Sequence, residues 1–142
     1  MIALYSEILD EFDKAETRAE KIAVLRKHDH PRFREFLWYL FSPDVKFDVD
    51  IPNYKPSSEP AGLNMSYIHM EVPKLYRFIA NHPKRPAGLF GKKQQNLFIG
   101  ILESLHKDEA EILVKLTSKD LKVKYLTENI VKEAFQIGRA HV

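Results

Sequence analysis

The chain contains no cysteine, which removes disulfides and thiolate metal sites together. Glycine is scarce as well, five in 142 residues, too few for the many tight turns of a β-sandwich. No apolar run approaches the roughly 20 residues that a membrane span requires. Residues 5–14 are already charged and amphipathic, without the apolar core of a signal peptide. The expectation is a cytoplasmic protein with no membrane partner. A dominant charge is also missing: 22 basic residues face 20 acidic ones, for a net charge of +2, too small by itself to argue for nucleic acid. What is present is an ordinary globular balance, 44% hydrophobic and 30% charged, in a length that suits one hydrophobic core.

The distribution of charge says more than its sum. Residues 7–20 hold six acids (Glu7, Asp10, Glu11, Asp13, Glu16, Glu20) against Lys14 and Arg18. Residues 82–93 hold Lys84, Arg85, Lys92 and Lys93 with no acid, and residues 115–124 hold four lysines against Asp120. Two basic segments thus follow an acidic first helix.

Apolar spacing divides the chain into helices. Leu4, Ile8, Leu9 and Phe12 recur at helical period, giving a first helix of roughly three turns. Thr17 and Glu20 have the spacing of a capping box ahead of Ile22, Val24 and Leu25, in a helix ending near His28. His30-Pro31 opens a third, with Pro31 in the first turn and Phe33, Phe36, Leu37, Leu40 and Phe41 inward. Residues 43–60 carry Pro43, Pro52, Pro56 and Pro60 and read as an extended connection. Val45, Phe47, Val49 and Ile51 alternate there with polar residues, but a lone strand would have no partner, so the segment should pack across the helices. Helix resumes over 71–81 with Leu75, Phe78 and Ile79 inward, and again over 94–105. Asp108 is placed to cap the next helix, and Thr127 a last one through Ile130, Val131, Ala134 and Phe135. The predicted fold is all-α, a compact orthogonal array of about seven helices with one long proline-rich extended connection.

The end of the chain is unusual. Gln136-Ile137-Gly138-Arg139-Ala140-His141-Val142 back-translates to CAG ATC GGA AGA GCA CAC GTC, the sequence of a widely used short-read sequencing adapter. We therefore expect one helical domain over residues 1–135 and a non-native tail over 136–142. Without Arg139 the net charge falls from +2 to +1.

No constellation builds an active site or calls for a cofactor. His28 and His30, two residues apart, cannot share one helical face and have no ligand cluster nearby. His69 and His106 lack the partners of a nucleophile triad. Glu103, Glu109 and Glu111 are spaced like acids that complement a helix dipole. Residues 88–92 end in a glycine-lysine pair, yet they lack the Walker spacing and the hydroxyl after lysine. The basic loops carry the signal that remains, because cations at helix ends reach phosphates and helix N-termini add backbone donors.

Two resemblances bear on these loops. The stretches Glu20-Lys21-Ile22-Ala23-Val24-Leu25, Phe41-Ser42-Pro43-Asp44-Val45, Leu102-Glu103-Ser104-Leu105-His106 and Glu109-Ala110-Glu111, with Leu126-Thr127 and Ala134-Phe135, make the chain resemble a family of small uncharacterised proteins of T-even-like phages, especially those of marine cyanobacteria. That resemblance implies an infected bacterial cell as its setting. More distantly, the order of Glu7-Ile8-Leu9-Asp10-Glu11, a capped helix over 21–27, a third helix, an extended segment and a longer helical half is similar to the N-terminal DNA-binding domain of phage ATP-dependent DNA ligases. Such domains grip duplex DNA at phosphates through helix ends and loops. The analogy makes the turn before the last helix (Ser118, Lys119, Lys122, Lys124, Thr127) the first contact candidate and the loop with Lys84, Arg85, Lys92 and Lys93 the second. Ligase chemistry itself is not implied, since Lys46-Phe47-Asp48-Val49 lacks the glycine of the nucleotidyltransferase motif.

The sequence therefore predicts a non-enzymatic module that contacts duplex DNA phosphates without base readout. The alternative is a protein-binding adaptor for phage or host replication or transcription proteins. Its anchors would be the proline-rich segment or exposed Trp38, Tyr39, Tyr54 and Tyr67.

Overall fold

A computed structural model describes residues 3–51, 53–61 and 63–135. The tail at 136–142 and Pro52 lie outside the described residues. Seven α-helices and one 3-10 helix follow one another, with no β-strand among the described residues: α1 (Tyr5–Lys14), α2 (Arg18–Lys27), α3 (Pro31–Phe41), α4 (Ile68–Glu71), the 3-10 helix Val72–Phe78, α5 (Gly91–Ser104), α6 (Lys107–Thr117) and α7 (Glu128–Phe135). The fold is all-α. None of these helices is long and apolar enough to cross a membrane.

Local chemistry sets most helix boundaries. The Thr17 hydroxyl accepts from the Glu20 backbone N–H at 3.1 Å and donates to the Glu20 carboxylate at 3.0 Å. His30 caps α3 through its ring, which accepts from Arg32 N–H at 3.1 Å, and Pro31 sits in the first turn. Thr127 Oγ1 accepts from Ile130 N–H. The cap of α6 is His106, whose Nδ1 accepts from Asp108 N–H at 3.2 Å. The expected cap, Asp108, instead lies in the first turn, where its charge complements the dipole. Where one helix was expected over 71–81, a single α-turn at Ile68–Glu71 leads into a 3-10 helix at Val72–Phe78. Pro73 stops the α-turn from continuing, because it lacks the N–H that an α-helix begun at Ile68 would need there. Leu75, Phe78 and Ile79 nevertheless face the core.

The extended segment packs across the helices and does find a partner. Phe47 forms an isolated antiparallel bridge with Ile79, through Asp48 N–H to Phe78 O at 3.0 Å and Ala80 N–H to Lys46 O at 2.7 Å. Polar side chains of α5 fasten it further. Gln94 donates to Asp48, Gln95 to the Asp50 carbonyl, and Glu103 accepts from Lys55 N–H. Val45 is buried, and Phe47, Val49 and Ile51 pack partly against the core. Fully buried Tyr5 meets Phe33 and Phe36 edge-on, as Phe78 meets Phe98. Each such ring contributes about 1.5–3 kcal/mol through burial.

Charged side chains from neighbouring helices finish the helix ends. Buried Glu109 on α6 accepts from Tyr5 and Ser6 N–H groups of α1 at 3.1 and 2.7 Å. Buried Lys21 on α2 donates to Phe12 O near the other end of α1 at 2.9 Å. Arg26 donates to Ala134 O and Glu133 O in the last turn of α7. In each case the sign matches the dipole, an acid at free N–H groups and a cation at free carbonyls.

Candidate functional site

Both predicted basic segments are ordered loops, but their side chains are used differently. The α6–α7 loop, the first candidate, is largely engaged in its own folding. Helix α6 ends in a Schellman motif, with Lys119 N–H to Leu116 O at 2.9 Å and Asp120 N–H to Lys115 O at 3.3 Å. Lys119 holds the left-handed position of that motif at φ 62°, where glycine is the usual residue. Its ammonium is turned inward and donates to Ser42 O at 2.6 Å and Val45 O at 3.0 Å, closing the C-terminal end of α3. Burial pushes this ammonium below its ordinary pKa. Lys119 is thus half-buried, with its ammonium engaged by backbone carbonyls at the end of α3. Lys122 pairs with Asp120 at 3.1 Å. The Ser118 hydroxyl donates to Lys115 O, Thr127 caps α7, and Lys124 lies over the Tyr125 ring at 5.3 Å.

The loop at 82–93 is organised from within by Arg85. Its side chain is only 13% exposed, and the guanidinium bonds to Asp48 Oδ2 at 2.6 Å. It also donates to Leu89 O at 2.8 and 3.2 Å and to Ile79 O at 3.2 Å. Arg85 therefore holds the loop, with its guanidinium engaged by Asp48, Leu89 and Ile79. Gln94, 3% exposed, reaches the other Asp48 oxygen at 2.9 Å and anchors the first turn of α5.

Outside this clamp the loop presents Lys84, Lys92 and Lys93. All three are exposed, and among the described residues none has an acidic partner. Helix α5, 14 residues long, starts at Gly91 with no side-chain hydrogen bond from its N-cap Phe90 and no acid in its first turn. Gly91 has φ 60°, which favours glycine at this entry. The site thus combines free backbone N–H groups, the positive end of a helix dipole and three unpaired ammonium groups.

Other residues singled out in the sequence have structural partners. His28 Nε2 meets Glu11 at 2.8 Å, beside Lys27 on the same carboxylate, and Lys27 first, then His28, holds that carboxyl below its ordinary range. Asp29 is held low by the Arg34 guanidinium at 2.6 Å. Of the aromatic anchors, Trp38 is exposed, Tyr54 and Tyr67 are half-buried, and Tyr39 is a core residue at 4% exposure bonded to Glu35. The expectation that Tyr39 is exposed is therefore corrected: its helical phase directs it inward. The residue that sequence reasoning missed is Phe90, 69% exposed beside the lysines. An aromatic ring next to a glycine in a basic loop was the signal for it.

Residues 8–123 match the model of a family of unknown function, DUF6433, and the chain belongs to that family. No curated protein and no solved structure matches the chain.

Proposed function

We propose that this chain is a non-enzymatic module that binds the phosphates of duplex DNA at the N-terminus of α5, without reading bases. The observation that carries the reading is the coincidence of Lys84, Lys92 and Lys93 with a helix start that has neither a side-chain cap nor an acid in its first turn. Surface helices ordinarily place acids at this end. Lysines there oppose the dipole and raise the local positive potential, which an anion relieves. Phosphate contacts of this kind position a duplex but carry no sequence information. Relative to the two loops suggested by the sequence, the proposed contact set narrows to Lys84, Lys92 and Lys93. The resemblance to phage proteins supports a setting in an infected bacterial cell.

Fluorescence anisotropy with a labelled duplex over a salt series tests this. Neutralising three phosphates gives a log–log slope of about −2.7. Changing Lys84, Lys92 and Lys93 together to alanine should reduce affinity on the order of tenfold at low salt and flatten that slope, with an unchanged melting temperature. Absence of binding at low salt, or a triple variant that binds as well as the parent, rejects the reading. Trp38, 56% exposed on α3, favours the adaptor as the second reading. It gains ground if pull-downs depend on Trp38 and not on the lysines.

A further inference from the structure

A second surface of the molecule has the opposite character. Helix α1, the start of α6 and residues 121–123 enclose an open groove of about 560 Å³. Five carboxylates line it, Glu7, Asp10, Asp13, Asp108 and Glu111, against Lys115 and Lys122. Two of the carboxylates are paired, Glu111 with Lys115 and Asp10 with Lys14, and Lys122 pairs with Asp120, so Glu7, Asp13 and Asp108 set the negative sign of the rim. The floor is apolar: Leu9, Ile112 and Leu121 reach it from the core, and half-buried Leu4 and Val123 edge it. An apolar floor inside an acidic rim suits a basic segment with one hydrophobic anchor.

The chain itself displays such a segment. Phe90 protrudes at 69% exposure from a loop whose other outward side chains include Lys84, Lys92 and Lys93. Arg85, Asp48 and Gln94 hold that loop in place, so presenting it costs little ordering entropy. The groove and the loop share no residue, so each copy offers both surfaces at once. We infer that the groove receives the basic loop of a second copy, with Phe90 on the apolar floor and the lysines facing the rim. Because the two surfaces differ, a single contact leaves one groove and one loop of the pair free to engage further copies. One anchor and a charged rim make it weak and salt-sensitive.

Sedimentation velocity of the full chain at low salt tests this, with concentrations raised to roughly millimolar, the regime of weak contacts. The average mass should rise above the monomer with concentration and return to it at about 0.5 M salt, where charges are screened within about 4 Å. Phe90→Ala should weaken association on the order of tenfold. Reversing the groove (Asp10→Lys with Glu111→Lys) and reversing the loop (Lys92→Glu with Lys93→Glu) should each abolish it. Mixing the two reversed proteins should restore it, a result that misfolded variants do not produce. A monomer at every concentration, association indifferent to groove reversal, or no rescue on mixing each overturns the inference. So does a groove that takes an unrelated lysine-rich peptide but not a peptide copying residues 82–95. Groove reversal leaves the loop intact, so loss of self-association and loss of duplex binding are separable.

Discussion

The loops at 82–93 and 118–127 are both rich in cations, and each leads into a helix. In the second, Lys119 is folded under the end of α3, Lys122 has an acid beside it, and α7 begins with a hydroxyl cap and Glu128 in its first turn. In the first, only Arg85 is drawn inward, and α5 begins with neither cap nor acid. The contrast shows that the number of cations in a segment does not determine its positive surface. Availability depends on which acceptors the fold brings within reach, and free carbonyls at helix ends compete for cations as effectively as carboxylates do. The same division runs through the acids: Glu109 is consumed by the N-terminus of α1, whereas Glu111, two residues on, faces the groove.

The sharpest way to break the comparison is Lys119→Ala. It leaves Ser42 O and Val45 O without their shared donor, while the strain of the left-handed position is common to lysine and alanine and cancels, so the fold should lose about 2–3 kcal/mol. Chemical denaturation measures this, and a loss below about 0.5 kcal/mol would place Lys119 with the ordinary surface lysines. Duplex affinity of the folded variant should be unchanged.

A subtler effect concerns Glu109. Burial raises its pKa above the ordinary 4.5, outweighing the backbone N–H groups that favour the charged form. The folded state therefore holds this proton more tightly than the unfolded chain. The stability tied to it is complete below 4.5 and is lost as pH rises through the raised folded value. Glu109→Gln has no such proton. The stability of the parent relative to this variant should thus decline from acid toward neutral pH, and a difference that is flat or rises with pH would contradict the assignment. Glu11, Asp29 and Asp120, whose pKa values are lowered, are present in both proteins and cancel.

The smallest effects should come from Lys122→Ala and Lys124→Ala. Their side chains are exposed, so each should change stability by less than about 0.5 kcal/mol. Duplex binding should stay within about twofold, under 0.5 kcal/mol. A larger loss of binding from either would return the α6–α7 loop to the interface.

Much of the fold was legible because its signals are local. Thr17, His30-Pro31 and Thr127 mark helix starts whose geometry depends on a few adjacent residues, and Phe33, Phe36, Leu37 and Leu40 repeat at the helical period on one face. The 3-10 turn at Pro73 and the cap at His106 were less legible, since each is a competition between neighbouring residues for one backbone group. Arg85 and Lys119 were illegible as structural residues. Their residue types do not reveal that carbonyls 4 to 77 positions away will surround their charged groups.

The sequence by itself determined the helical class, most helix boundaries and the two places where positive charge concentrates, because periodicity, caps and composition act over a few residues. Only the tertiary structure decided which of those charges point outward, and it alone assembled the acidic groove from α1, α6 and residues 121–123. The physical reason is that a buried backbone group must be satisfied by whatever donor or acceptor long-range packing delivers, so burial assigns a charged side chain its role after the helices have met.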